Sequence, residues 1–271
     1  MDKLPKGRKR TGGCLDEGVG ERIFYTGRPE ETEKTMRIKY ILFDLDGTLL
    51  PMDQDEFIQE YFGKLAKKLA PLGYDPKKLI KGIMAGTEAM IQNDGRCTNE
   101  EAFWNTFAAL FGEHVRQDEP IFEDFYHNEF QQVKDVCGFD ERAGGIIRRL
   151  KERGFTVALA TNPIFPAIAT RSRIRWAGME PEDFALYTTY ENSCHCKPNP
   201  DYYRDVLAVL GAEPEECVMV GNDVQEDMVA ETLGMKVFLL TDCLIDRADT
   251  DMSRYPHGGF EELSAFLEGI E

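Results

Sequence analysis

The chain has 271 residues, with 49 Asp and Glu against 32 Lys and Arg, for a formal net charge of −17. That excess repels nucleic acid and anionic membranes, so neither is an expected partner, and a phosphorylated ligand would need a local cation to offset the field. No apolar run approaches the ~20 residues of a membrane span. The basic N-terminus has no apolar stretch behind it, as a secretory signal would, so the cytoplasm is the expected compartment.

Residues 1–36 carry basic residues and glycines with no hydrophobic period, which reads as a weakly ordered extension. Tyr40-Ile41-Leu42-Phe43 is a short apolar run with the length of a buried strand, and it ends in Asp44-Leu45-Asp46-Gly47-Thr48. The stretch 52–135 has helical periodicity throughout. Phe57, Tyr61, Leu65 and Leu69 share one helix face; Leu79, Ile83 and Met90 mark a second helix. Phe103, Phe107, Leu110 and Phe111 mark a third, N-capped by Thr98 or Asn99, and Ile121, Phe125 and Phe130 mark a fourth.

After Asp140 strands and helices alternate. Helices are expected over 143–153, up to Trp176, over 201–210, over 224–233 and over 260–267. Strands are expected over 155–160, 185–189, 217–220 and 236–240. Such alternation implies an α/β fold with a parallel sheet covered on both faces, whose ligand site lies at the carboxyl ends of the strands. Asp44/Asp46, Thr161/Asn162 and Asn222/Asp223 each follow an expected strand, so they should gather on one rim.

Two carboxylates at one strand end, with Asp223 and Asp227 nearby, make an oxygen-rich cluster suited to Mg²⁺. Lys197, before Pro198, could supply a fixed positive charge, and Thr161 a hydroxyl donor to a phosphate oxygen. The seven cysteines are odd in number and irregularly spaced, so no disulfide framework is expected. Cys194 and Cys196 flank His195, but no second half of a metal site accompanies them.

In order along the chain, Asp44-Leu45-Asp46-Gly47-Thr48, Thr161, Lys197-Pro198 and Gly221-Asn222-Asp223 with Asp227 resemble the four motifs of the haloacid dehalogenase superfamily. The resemblance covers about residues 38–245. It implies a Rossmann-like core over 37–51 and 136–271, with 52–135 as an inserted helical cap hinged near Leu50-Pro51-Met52 and Val136-Cys137-Gly138. It also implies Mg²⁺-dependent hydrolysis of a small phosphorylated metabolite. Asp44 would be the nucleophile and form an aspartyl-phosphate, with Asp46 as general acid and base. Thr161, Asn162 and Lys197 would bind phosphate. The metal would sit on Asp44, the Asp46 carbonyl and Asp223, supported by Asn222 and Asp227. The dehalogenases of the superfamily lack the second aspartate, so Asp46 argues for phosphate chemistry. A phosphosugar mutase, a phosphonatase using a cap lysine, or a non-catalytic binding protein are the alternatives on the same fold.

Overall fold

The computed structural model describes residues 37–270; the expected N-terminal extension, 1–36, lies outside the described residues. Strand β1 (Tyr40–Phe43) opens the fold and four helices follow: α1 (Gln54–Leu69), α2 (Pro76–Ile91), α3 (Asn99–Phe111) and α4 (Glu119–His127). Then come α5 (Glu141–Glu152), β2 (Thr156–Leu159), α6 (Ala167–Trp176), α7 (Pro200–Leu210), β3 (Cys217–Gly221), β4 (Lys236–Leu240), β5 (His257–Gly258) and α8 (Phe260–Glu268). The strands form one parallel sheet in the order β2-β1-β3-β4-β5.

The apolar runs are continuous because both faces of this sheet are covered. Alternate side chains serve opposite cores: Ile41, Phe43, Val157 and Val218 on one side, Leu42, Ala158 and Met219 on the other. The interior position of β1, between β2 and β3, carries the Asp44 loop to the carboxyl edge beside the end of β3.

The first three helices between β1 and α5 start at side-chain caps. Asp53 caps α1, Asp75 caps α2, and Thr98 makes a reciprocal capping box with Glu101 on α3. Their buried faces join aromatic rings, with Tyr61 against Phe125 and Phe130, and Phe107 against Phe122. The two chain crossings into and out of this helical block run side by side. Met52 bridges Cys137, and the Gly138 amide donates to the Pro51 carbonyl at 2.7 Å.

Three expected elements differ. The fourth helix breaks at Asn128, and Glu129–Val136 continues as a 3-10 helix. Residues 185–188 run extended along the edge of β2 without forming a regular strand; one bridge joins Leu159 to Tyr187. The expected helix over 224–233 forms only as a 3-10 helix, Met228–Leu233. Ahead of it, the Asp223 carboxylate accepts from the amides of Gln225 and Glu226, and the Asp227 carboxylate accepts from the Asp223 amide. These side chains take the backbone donors that a helix start would organise differently.

Candidate active site

The loop after β1 is closed by its own backbone. The Asp44 amide donates to the Val220 carbonyl at 2.9 Å, and Leu50 and Leu45 bond at 2.8 Å across the turn. Thr48 Oγ1 donates to Asn222 Oδ1 at 3.0 Å and reaches Asp44 Oδ2 at 3.3 Å, so it ties the ends of β1 and β3 together. Asn222 Nδ2 in turn donates to the Cys243 carbonyl at 2.6 Å.

Lys197 is fully buried beneath Asp44. Its ammonium donates to Asp44 Oδ1 at 2.9 Å and to Asp227 Oδ1 at 2.6 Å. Burial opposes its charge, but the attraction of Asp227 and Asp44 wins and holds the amine protonated, well above its ordinary range. The other Asp227 oxygen takes the Asp223 amide at 3.0 Å. Gly221 permits this close approach, because a Cβ there would lie 2.0 Å from Asp227 Oδ2.

Asp46 Oδ2 accepts from the Arg173 guanidinium, an ion pair the sequence did not disclose. Asp46 Oδ1 is buried with no partner within the described protein. Burial pushes the Asp46 carboxyl above the usual carboxylate range; Arg173 pulls it down and Asp44 pushes it further up. Asp223 holds a second unforeseen partner, the half-exposed Arg247, at 2.6 Å. Thr161 is buried, and its carbonyl accepts from Thr188 at 2.6 Å and Tyr202 at 2.9 Å. Asn162 Nδ2 donates to Glu226 at 3.0 Å.

Asp44, Asp46, Thr161, Asn162, Asn222, Asp223 and Asp227 all line one cavity of about 860 Å³ between the carboxyl edge of the sheet and the helical block. Lys197 is the exception: it supports the floor from below. The far walls are largely apolar and aromatic, with Phe57, Phe62, Phe103 and Trp104 among them. Among the described residues no three His, Cys, Asp or Glu side chains form a ready metal cluster. The carboxylates of Asp44, Asp46, Asp223 and Asp227 nonetheless gather oxygen donors at the cavity floor. Mg²⁺ is commonly held by one or two carboxylates with waters completing its shell, so Asp44 and Asp223 suit it once Arg247 turns aside.

Fold and site together define an α/β protein of hydrolase type with a cluster of carboxylates at the carboxyl edge of its parallel sheet. Residues 38–230 match the haloacid dehalogenase-like hydrolase family, and the chain belongs to that family. The chain is similar to pyrophosphatase PpaX from Bacillus cereus (strain G9842), at 24% identity over 213 residues, which are 79% of this chain and 88% of the relative. Among solved structures it resembles a HAD phosphatase from Thermococcus onnurineus, with TM-score 0.56 and 22% identity over 86% of this chain and 99% of that one. It also resembles a 2-haloacid dehalogenase from Pseudomonas syringae pv. Tomato DC3000, with TM-score 0.59 and 20% identity over 85% and 98%. The magnesium-bound HAD-hydrolase YfnB from Bacillus subtilis aligns at TM-score 0.51 and 17% identity over 85% and 99%. At these identities the solved structures speak to the fold alone. No helix among the described residues is long and apolar enough to cross a membrane.

Proposed function

We propose that the chain is a Mg²⁺-dependent phosphatase that hydrolyses small phosphate monoesters through an aspartyl-phosphate on Asp44. The observation that carries this reading is the pairing of Asp44, steadied by Lys197, with Asp46 on the floor of one cavity. An Asp44 oxygen attacks phosphorus while the Asp46 carboxyl gives its proton to the departing ester oxygen. Asp46, now a carboxylate, takes a proton from the water that attacks phosphorus, which frees phosphate and restores Asp44. Thr161 and Asn162 bind and orient the phosphoryl group, while Lys197, expected from the sequence to join them, lies beneath the floor and acts by holding Asp44. Mg²⁺, held by Asp44, the Asp46 carbonyl and Asp223, would supply positive charge against the phosphate oxygens; the solved relative YfnB is bound to magnesium.

The helical block acts as the cap, shielding the reaction from water and selecting the leaving group. An 860 Å³ cavity with aromatic walls suits an ester with a sizeable organic part. The pyrophosphatase relatives suggest pyrophosphate as a second substrate, but so compact an anion leaves most of those walls uncovered. A phosphonatase would need a lysine in the cavity, and the residues that line it among those described include none.

The test is hydrolysis of p-nitrophenyl phosphate and a panel of phosphorylated metabolites, with Mg²⁺ and with excess chelator. Turnover that vanishes in chelator and in folded Asp44→Asn is expected. Undiminished rates in either case would reject the reading.

A further inference from the structure

Arg173 is a cation of the site with no place in the chemistry above. It lies on α6, is 1% exposed, and pairs with Asp46 Oδ2. Burying a guanidinium costs several kcal/mol unless its partners are well placed. Its remaining contacts are weak for that purpose: the Ala169 carbonyl at 3.4 Å and Thr170 Oγ1 at 3.4 Å. The guanidinium also stacks on the Phe165 ring, 4.4 Å from its centroid. Phe165 then stands edge-on to two rings of α1, Phe57 at 6.2 Å and Tyr61 at 5.5 Å. A continuous contact path therefore runs from the helical block through Phe165 and Arg173 to one oxygen of Asp46. The other oxygen, Oδ1, is buried without a partner among the described residues, while the side chain as a whole is 21% exposed and lines the cavity.

We propose that Arg173 is the positioning residue of this site: by anchoring Asp46 Oδ2 it fixes the orientation of the carboxyl that exchanges a proton with the ester and then with water. Packing of Phe165 against α1 holds the guanidinium in place, so seating of the helical block sets the aim of the acid. The inference rests on the reading of Asp46 as the acid and base. Arg173 gives up no proton and forms no bond to substrate; the proton passes from the Asp46 carboxyl to the departing oxygen. Arg suits this task better than Lys because its planar fork fixes a carboxylate in orientation as well as in place.

The test exploits the leaving group. A nitrophenolate departs without a proton, whereas an alkoxide needs one, so a misaimed acid harms alkyl esters selectively. General acid catalysis is worth about 10²- to 10⁴-fold. Arg173→Gln should therefore lose about 30-fold or more in kcat/KM on an alkyl phosphate and under about 3-fold on p-nitrophenyl phosphate. Arg173→Lys should keep the bias with a smaller loss. In Asp46→Asn, which already lacks the acid, adding Arg173→Gln should cost nothing further on the alkyl ester. Phe165→Leu changes no buried charge, so it keeps the idea testable if Arg173→Gln does not fold. It should show the same bias at about 3- to 10-fold, since it disturbs the anchor only indirectly. Equal losses on both esters in folded variants, or additive losses in the double variant, would mean a merely structural arginine and overturn the proposal. A wild-type protein inert on both esters would instead sink the phosphatase reading, and the proposal with it.

Discussion

Removal of the Lys197 charge is the sharpest perturbation the site offers. Lys197 is 2% exposed and lies between two carboxylates, Asp44 at 2.9 Å and Asp227 at 2.6 Å. Lys197→Met keeps the length and apolar stem of the side chain while leaving both carboxylates without their cation. Breaking a buried pair from one side costs about 3–5 kcal/mol, because the survivor stays buried and uncompensated. For a domain of this size that corresponds to a fall in Tm of about 6–20 °C. Turnover should fall as well, by about 10²-fold, because Asp44 loses the cation that orients it for attack. Adding Asp227→Asn removes one of the stranded charges, so it should restore part of the Tm and none of the activity. The assays are thermal unfolding and initial rates on an aryl phosphate. A Lys197→Met protein that melts within about 2 °C of wild type would refute the reasoning, since the pair would then be worth less than about 1 kcal/mol.

Gly47 has φ +86°, and a Cβ there would lie 2.3 Å from Asn222 Nδ2. Gly47→Ala should thus lose at least about 1 kcal/mol of stability, read by urea unfolding, and should lower kcat by displacing Asn222 and Thr48. Burial pushes the thiols of Cys137, Cys196 and Cys217 up to about 12. These cysteines should resist iodoacetamide at pH 8 in the folded protein and label after unfolding, as followed by peptide mass spectrometry. Because their folded pKa values exceed the unfolded value of about 8.5, the unfolded chain releases these protons first, and stability should decline from about pH 8.5 towards 12. Asn99 is completely buried; its Nδ2 donates to the Pro163 carbonyl at 3.1 Å and its Oδ1 accepts from Asn93 at 2.9 Å. Asn99→Ala strands both partners and should cost about 1–3 kcal/mol in the same unfolding assay.

The residues of the site differ in how far they could be read without coordinates. Asp44 and Asp223 follow apolar runs whose length and both-face burial announce strands of a parallel sheet, so topology alone sends them to a common edge. Lys197 and Asp227 sit on irregular segments; their charge made them candidates for the cluster, and the family resemblance gave them their places in it. Arg173 was invisible because it meets Asp46 across 127 positions and lies among other arginines, Arg171 and Arg175, on the same helix. Neither charge nor spacing separates the buried arginine from its neighbours. Arg247 was missed for a related reason: its loop has no periodicity to say where it folds back. The shortened helix after Asp223 shows the opposite failure, in which helical spacing was present but carboxylates took the backbone donors.

The seam around Asn99 ties the helical block to the core a second time, apart from the paired crossings at Pro51 and Gly138. The Asn99 amide donates to the Ser193 carbonyl at 2.8 Å and the Glu100 amide to the Tyr190 carbonyl at 2.9 Å, while the buried side chain reaches Pro163. A block fastened along two edges cannot swing clear as one rigid flap; it must first unlatch one edge. That opening strips a buried amide of its partners, a toll of about 1–3 kcal/mol, or roughly a five- to hundredfold slowing of escape from the closed state. On the proposed phosphatase reading, release of alcohol and phosphate would then wait on a local opening step remote from phosphorus. On that reading a weakened seam would hasten release while loosening the grip on the incoming ester.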